Sequence, residues 1–257
     1  MKFIHYSVNN RIGTITLNRP EKRNALSYEL VAELKEAFTK AEEDDQVKVI
    51  VLKANGETFC AGADLEYLQQ LKKFSYEENL NDSNHLRELF LKIYTHSKVI
   101  VAQVQGHALA GGCGLATVCD FVFAVPDAKF GYTEVKIGFI PAIVMVFLLR
   151  KIGEGKAKEL LLSGDLFSAE SVKQFGLINQ VIAPEKLEVE VEAFAKKIVE
   201  SNSGQSMKLT KQMISKVQSL SVEDALLFAA EMNAHARGTD DCKKGVAAFL
   251  NKEKIRW

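Results

Sequence analysis

Residues 99–120, VIVAQVQGHALAGGCGLATVCD, decide the reading of this chain. The run 99–104 is apolar and β-branched, the pattern of a buried strand. Gln105 to Ala110 follow, then Gly111-Gly112, after which 113–118 can continue as a helix. Two adjacent glycines at a helix start cost backbone entropy. In return they allow close access to the bare N–H groups of the first helical turn. Those donors sit at the positive end of the helix dipole, where negative charge is favoured. Tight packing of a small-residue helix explains the same pair, and on this stretch alone it is the stronger reading.

Working outward, 257 residues are enough to bury a sizeable core as one large domain or a domain with an appendage. Hydrophobic residues at 47% and charged residues at 26% are ordinary for a globular protein. Lys plus Arg equals Asp plus Glu at 33 each, so no global field argues for nucleic acid or an anionic membrane. The N-terminal residues run into a strand without the apolar core of a secretory signal. The longest apolar run, 137–149, is interrupted by Gly138 and Pro141 and is shorter than the ~20 residues that span a bilayer. Cys60, Cys113, Cys119 and Cys242 have neither zinc spacing nor a disulfide-framework pattern. Reduced thiols in a cytoplasmic protein are expected.

Residues 3–7 and 11–17 alternate as two antiparallel strands, followed by a polar, basic loop over 18–26. Ser27 is placed to cap a helix through about residue 43, with Leu30, Leu34, Ala37, Phe38 and Ala41 on one stripe. Residues 47–53 form a strand apolar enough to be covered on both faces. The polar stretch 67–80 reads as a mobile insert, and a helix over roughly 77–97 leads into the central strand. Another strand follows at 120–125, then helical patterns at 143–151, 155–162, 168–175 and 187–200. SNSGQS at 201–206 is a linker-like break before three further helices. A strand-strand-helix succession recurs loosely, which argues for an α/β architecture of stacked βαβ-like units.

The segments RPEKRNALS, FCAGADL, AQVQGHALAGGCGLATVCDFVFA, AKFGYTEVKIGFIP and LLSGDLFSAESVKQFGLINQVI follow one another in the order seen in one family. Over nearly its whole length the chain resembles the enoyl-CoA hydratase/isomerase (crotonase) superfamily. The resemblance implies a spiral of ββα turns over 1–200 that binds and transforms an acyl-CoA. It also implies a helical region over 201–257 that assembles trimers or dimers of trimers. It implies no metal, and no cofactor apart from the CoA that the substrate carries. Two oxyanion donors carry over onto the backbone N–H groups of Ala63 and Gly111. Lys22, Arg23 and Ala25, together with Ala61, Asp64 and Leu65, match the stretches that hold CoA. For Lys22 and Arg23 the residues alone would suggest only a solvated loop. The chemistry fits from below, since reactions alpha to a thioester pass through an enolate-like state that two fixed N–H groups can stabilise.

Hydratases of this superfamily usually carry two glutamates twenty positions apart. The second matches Glu134, in GYTEVKIG, but the first falls on Gly114. One acid/base group is therefore absent, and Gly114 is expected to leave room for a branch or an acidic group on the acyl chain. Glu134 lies among Tyr132, Val135, Ile137 and Phe139, so a partly buried carboxyl with a raised pKa is expected. The plain alternative is an exposed glutamate paired with Lys136. Cys113-Gly114-Leu115 and the run from Glu134 to Ile143 resemble the bacterial 3-methylglutaconyl-CoA hydratase group. That likeness points to hydration or dehydration of an enoyl-CoA, with leucine degradation as its setting. A Δ3,Δ2-enoyl-CoA isomerase, which needs no water, is the alternative. A catalytically weak CoA-binding or RNA-binding member is a third reading, disfavoured by neutral charge and by the retained Glu134, Ala63 and Gly111.

Overall fold

A computed structural model describes residues 1–257, apart from the side chains of Leu65 and Leu71. The chain opens with an antiparallel pair, β1 (Ile4–Asn9) and β2 (Ile12–Leu17). The tight turn between them places Asn10 and Arg11 at positive φ. Helix α1 (Tyr28–Glu43) begins where expected, with Ser27 Oγ accepting the Leu30 N–H. Its buried stripe, from Leu30 to Ala41, is the one that the 3.6-residue period marks.

From here the chain alternates between two sheets. Strand β3 (Val49–Ala54) joins the first, and β4 (Thr58–Cys60) starts the second. Helices α2 (Leu65–Leu71) and α3 (Tyr76–Thr95) return to β5 (Val99–Val104) in the first sheet. Then β6 (His107–Leu109) enters the second, and α4 (Gly111–Thr117) closes the turn. The next turn is β7 (Phe121–Ala124), β8 (Lys129–Gly131), a 3-10 turn over Glu134–Ile137, and α5 (Ala142–Ser163). Strand β9 (Phe167–Ser168), α6 (Ala169–Gln174), β10 (Gln180–Val181) and α7 (Pro184–Ser201) complete the layers. The sheets read β1-β2-β3-β5-β7-β10 and β4-β6-β8-β9. From β2 onward the first sheet is parallel, and β3 and β5 are buried along nearly their whole length. This is the expected spiral of ββα turns.

Three expectations change. The stretch read as a mobile insert is mostly helical, because Asp64 caps α2 and Ser75 with Glu78 forms a capping box on α3. The two helical patterns after residue 142 are one element broken at Gly153, whose φ is 75 and ψ 168. The linker-like stretch contracts to Asn202-Ser203, since Ser203 Oγ accepts the Ser206 N–H and caps α8 (Gly204–Val217). Helices α9 (Val222–Gly238) and α10 (Asp240–Leu250) follow. No helix among the described residues is long and apolar enough to cross a membrane.

Candidate active site

The site starts where two loops are sewn together. Ala61 N–H donates to Arg23 O, Leu26 N–H to Gly62 O at 2.7 Å, and Asp64 N–H to Leu26 O. Bonds through residues 62 and 64 turn the N–H of Ala63 away from Leu26, and Ala63 is exposed. Asp64 is buried and holds the seam from the other side. Its Oδ1 accepts the Glu66 and Tyr67 N–H groups, and Arg19 lies 2.7 Å from Oδ2. Burial opposes ionisation of Asp64, but the Tyr67 N–H and the Arg19 guanidinium outweigh it and keep its pKa low. Asp64 thus stays charged as a cap and anchor.

Gly62 is the pivot of this seam. Its φ of 89 suits glycine alone, and a Cβ there would lie 2.8 Å from Ala110 Cβ and 3.4 Å from the Gly111 nitrogen. The backbone before Ala63 therefore touches the start of α4. Ala110 is itself strained, at φ 49 and ψ −124, and its N–H is tied to Gly131 O at 2.7 Å. The glycine pair divides its work. A side chain on Gly112 would sit 2.2 Å from Cys60 O, so that glycine serves packing. A Cβ on Gly111 would meet Leu26 Cδ1 at 3.1 Å and Gly62 Cα at 3.9 Å, and Gly111 is half-buried. Neither Ala63 N–H nor Gly111 N–H meets an acceptor among the described residues. Two N–H groups without an acceptor, on backbone segments that touch, are the kind of donor that suits a developing oxyanion.

Glu134 is tied to this backbone through the third turn. The carbonyl that anchors Ala110 belongs to Gly131, three residues before it. Glu134 is 9% exposed, and its Oε2 is buried with no hydrogen-bond partner among the described residues. Burial pushes its pKa above the ordinary carboxylate range, with a backbone hydrogen bond opposing in smaller part. The plain alternative fails, because Lys136 pairs with Asp165 at 2.9 Å. The apolar company differs from expectation, however. Ile137 and Phe139 are 72% and 55% exposed; of the expected neighbours Tyr132 is buried, and the charge of Glu134 acts on Tyr132 and on Cys113. Burial pushes the Cys60 and Cys113 thiols up to about 12, so neither is a thiolate nucleophile. Tyr132 is buried with its hydroxyl on Thr117 Oγ1 at 2.9 Å, and its pKa is raised, foremost by burial.

Of the proposed CoA contacts, Lys22 and Arg23 are exposed on the loop that bonds to Ala61, and Ala25 is buried beneath them. Lys22 pairs with Glu66 at the surface, a contact of small energetic weight. The side chain of Leu65 lies outside the described residues. Asn24 escaped the sequence reading. Fully buried at φ 53, it accepts from Arg19 N–H and donates to Asn55 O and Thr58 O, fixing the loop. Its signal was the asparagine itself, which tolerates that left-handed conformation.

Gly114 corrects an expectation. A Cβ there would meet Val144 Cγ1 at 2.1 Å, Val144 Cβ at 2.7 Å and Phe90 Cε1 at 3.1 Å. The room that the missing glutamate was expected to leave is filled by α5. No group of three or more His, Cys, Asp or Glu side chains converges on a metal site among the described residues.

The family model for enoyl-CoA hydratase/isomerase matches residues 7–257. The chain belongs to that family. A Thermus thermophilus relative is 42% identical over 246 residues, spanning 96% of this chain and 97% of its own. The crotonyl-CoA hydratase of Syntrophomonas wolfei is 33% identical, with 96% and 94% covered. The crystal structure of an enoyl-CoA hydratase from Mycobacterium smegmatis superposes with a TM-score of 0.93 at 33% identity, covering 99% and 98% of the two chains. Family membership spans both halves of the site, from the seam at Ala63 to Glu134.

Proposed function

We propose that this family member hydrates the double bond of an enoyl-CoA thioester. The observation that carries the reading is Glu134: a buried carboxyl oxygen without a partner among the described residues, on the 3-10 turn that follows β8, whose Gly131 carbonyl accepts the Ala110 N–H beside Gly111. The thioester oxygen accepts the N–H groups of Ala63 and Gly111. As a water adds to C3, Glu134 takes its proton, a C3–O bond forms and the π electrons move onto the thioester oxygen as an enolate. Protonated Glu134 then gives the proton to C2 as the enolate collapses. One carboxylate closes the proton balance, and a raised pKa suits a group that must hold and release a proton. Losing one backbone donor typically costs ~3 kcal/mol of transition-state stabilisation.

The absence of a second carboxylate at Gly114 supports the competing reading, a Δ3,Δ2-enoyl-CoA isomerase, since a double-bond shift needs a single base and no water. Turnover of crotonyl-CoA, 3-methylglutaconyl-CoA and a 3-enoyl-CoA in ¹⁸O-labelled water separates the two. Label in a 3-hydroxyacyl product supports hydration. Isomerised product without label, and no hydration of any substrate, overturns it. Preference for 3-methylglutaconyl-CoA rests on motif likeness alone.

The C-terminal helices support assembly as a homo-oligomer built on trimers. No residue of α9 is buried within the chain; Leu226 is 67% exposed, and Phe249 on α10 is 82% exposed. Continuous apolar faces of this kind mark contacts between chains.

A further inference from the structure

A cavity of about 760 Å³ lies away from the catalytic end of α4. It is bounded by α3, α5 and α8, and the chain running from α4 into β7 forms its floor. An adjoining cavity of about 490 Å³ shares Tyr94, Phe147, Arg150 and Ser215 with it, so the space is elongated. Gly111 stands at one end of α4 and this floor at the other, one ~10 Å helix apart. Between them Val144 and Phe90 pack on Gly114, and Phe90 stacks on Phe147 at 5.9 Å. The two spaces are separated by side chains.

The walls are largely apolar, with Val99, Phe121, Phe147, Ile198 and Met207 among them. The charged lining side chains are unbalanced: Arg150, Lys151 and Lys211 face one side-chain carboxylate, Asp120. Asp120 Oδ2 is already engaged by Ile100 N–H and by Lys211 Nζ at 2.6 Å. Lys151 Nζ gives two protons to Thr117 O and Cys119 O, and Lys211 gives its second to Lys98 O. An ammonium has three protons, so each keeps one to offer. The Tyr94 hydroxyl is buried and has no partner among the described residues. Spare donors and excess positive charge in an apolar, elongated cavity are complementary to an anionic head on an apolar tail.

We infer that this cavity binds an amphipathic carboxylate, a free carboxylic acid with an aliphatic chain, at a site separate from the acyl-CoA site. Its head meets Lys151, Lys211, Arg150 and the Tyr94 hydroxyl, and its tail lies against Phe147 and Met207. The inference stands apart from the hydratase reading, because its test needs no turnover.

Trp257, the one tryptophan of the chain, lines the cavity and reports on it directly. The full-length protein is titrated with decanoate by calorimetry and by Trp257 emission. The expected result is one decanoate per chain with a saturable emission change. Decanol, which lacks the charge, binds at least tenfold more weakly, and acetate, which lacks the tail, does not bind. Arg150→Gln, at an exposed position, weakens decanoate about tenfold. Thr210→Phe, also at an exposed position on α8, blocks the cavity and abolishes binding while the melting temperature is kept. Absence of saturable binding at millimolar decanoate overturns the proposal, as does equal affinity for decanol or undiminished binding to Thr210→Phe. Trp257 emission that changes with protein concentration and ignores decanoate would show a second copy of the chain filling the space, which also overturns it.

Discussion

Gly114→Ala sets two physical effects against each other. Glycine inside a helix is about 1 kcal/mol worse than alanine, so propensity alone makes the substitution stabilising. The structure says otherwise, because the new methyl would lie 2.1 Å from Val144 Cγ1 and 2.7 Å from Val144 Cβ. Carbon atoms prefer ~3.5–4.0 Å, so the overlap is well over an ångström. Rotating Val144 moves its Cγ1 but not its Cβ, which is fixed to α5, and a β-branched side chain in a helix is stiff in any case. Overpacking of this kind costs ~1–3 kcal/mol or more. The expected net effect is a loss of about 1–2 kcal/mol, read as a lower urea midpoint with unchanged slope. Adding Val144→Ala should recover part of that loss, with a favourable coupling of ~1 kcal/mol or more between the two sites. Gly114→Glu, which restores the absent carboxylate by sequence, should be less stable still and gain no crotonyl-CoA hydration. A Gly114→Ala protein as stable as wild type would refute the close approach of α5 to α4.

Glu134→Gln should lower turnover ~10²–10⁴-fold with CoA affinity nearly kept; activity within tenfold of wild type would remove Glu134 from the proton-transfer role. Because burial raises the Glu134 pKa, the acid limb of kcat/KM should lie above the ordinary carboxylate range and vanish in that variant. Between those two pKa values the folded state holds the extra proton, so this group's contribution to stability falls as pH rises, and Glu134→Gln should flatten that slope. Asp64→Asn should cost ~0.5–2 kcal/mol by weakening the α2 cap and the Arg19 pair, with KM rising more than kcat falls. For Lys151, burial lowers the pKa to about 8, so the unfolded chain binds more protons between there and 10.5. Wild type should therefore gain stability relative to Lys151→Met as pH rises through that window, seen in urea unfolding at pH 7.5, 9 and 10. Leu226→Lys should shift the protein to smaller species in light scattering, and an unchanged mass would count against α9 as a contact face.

Local chemistry made much of this molecule readable in one dimension. Strand β5 lies at 99–104 as its β-branched run requires, and Ser27 starts α1 because a hydroxyl there can take the Leu30 N–H. The order of motifs singled out Ala63, Gly111 and Glu134 as candidates. What the string of letters left open were questions about neighbours distant in sequence. It took Cys60 O, fifty-two positions away, to show that Gly112 is a packing glycine while Gly111 is the one left accessible. Only the pairing of Lys136 with Asp165 removed the ordinary partner of Glu134. Only α5 crossing α4 showed that Val144, thirty residues on, fills the space above Gly114. Periodicity and capping report on a residue and its next turn; the desolvation of a carboxylate and the closing of a gap depend on surfaces that meet only when separate turns of the spiral are stacked.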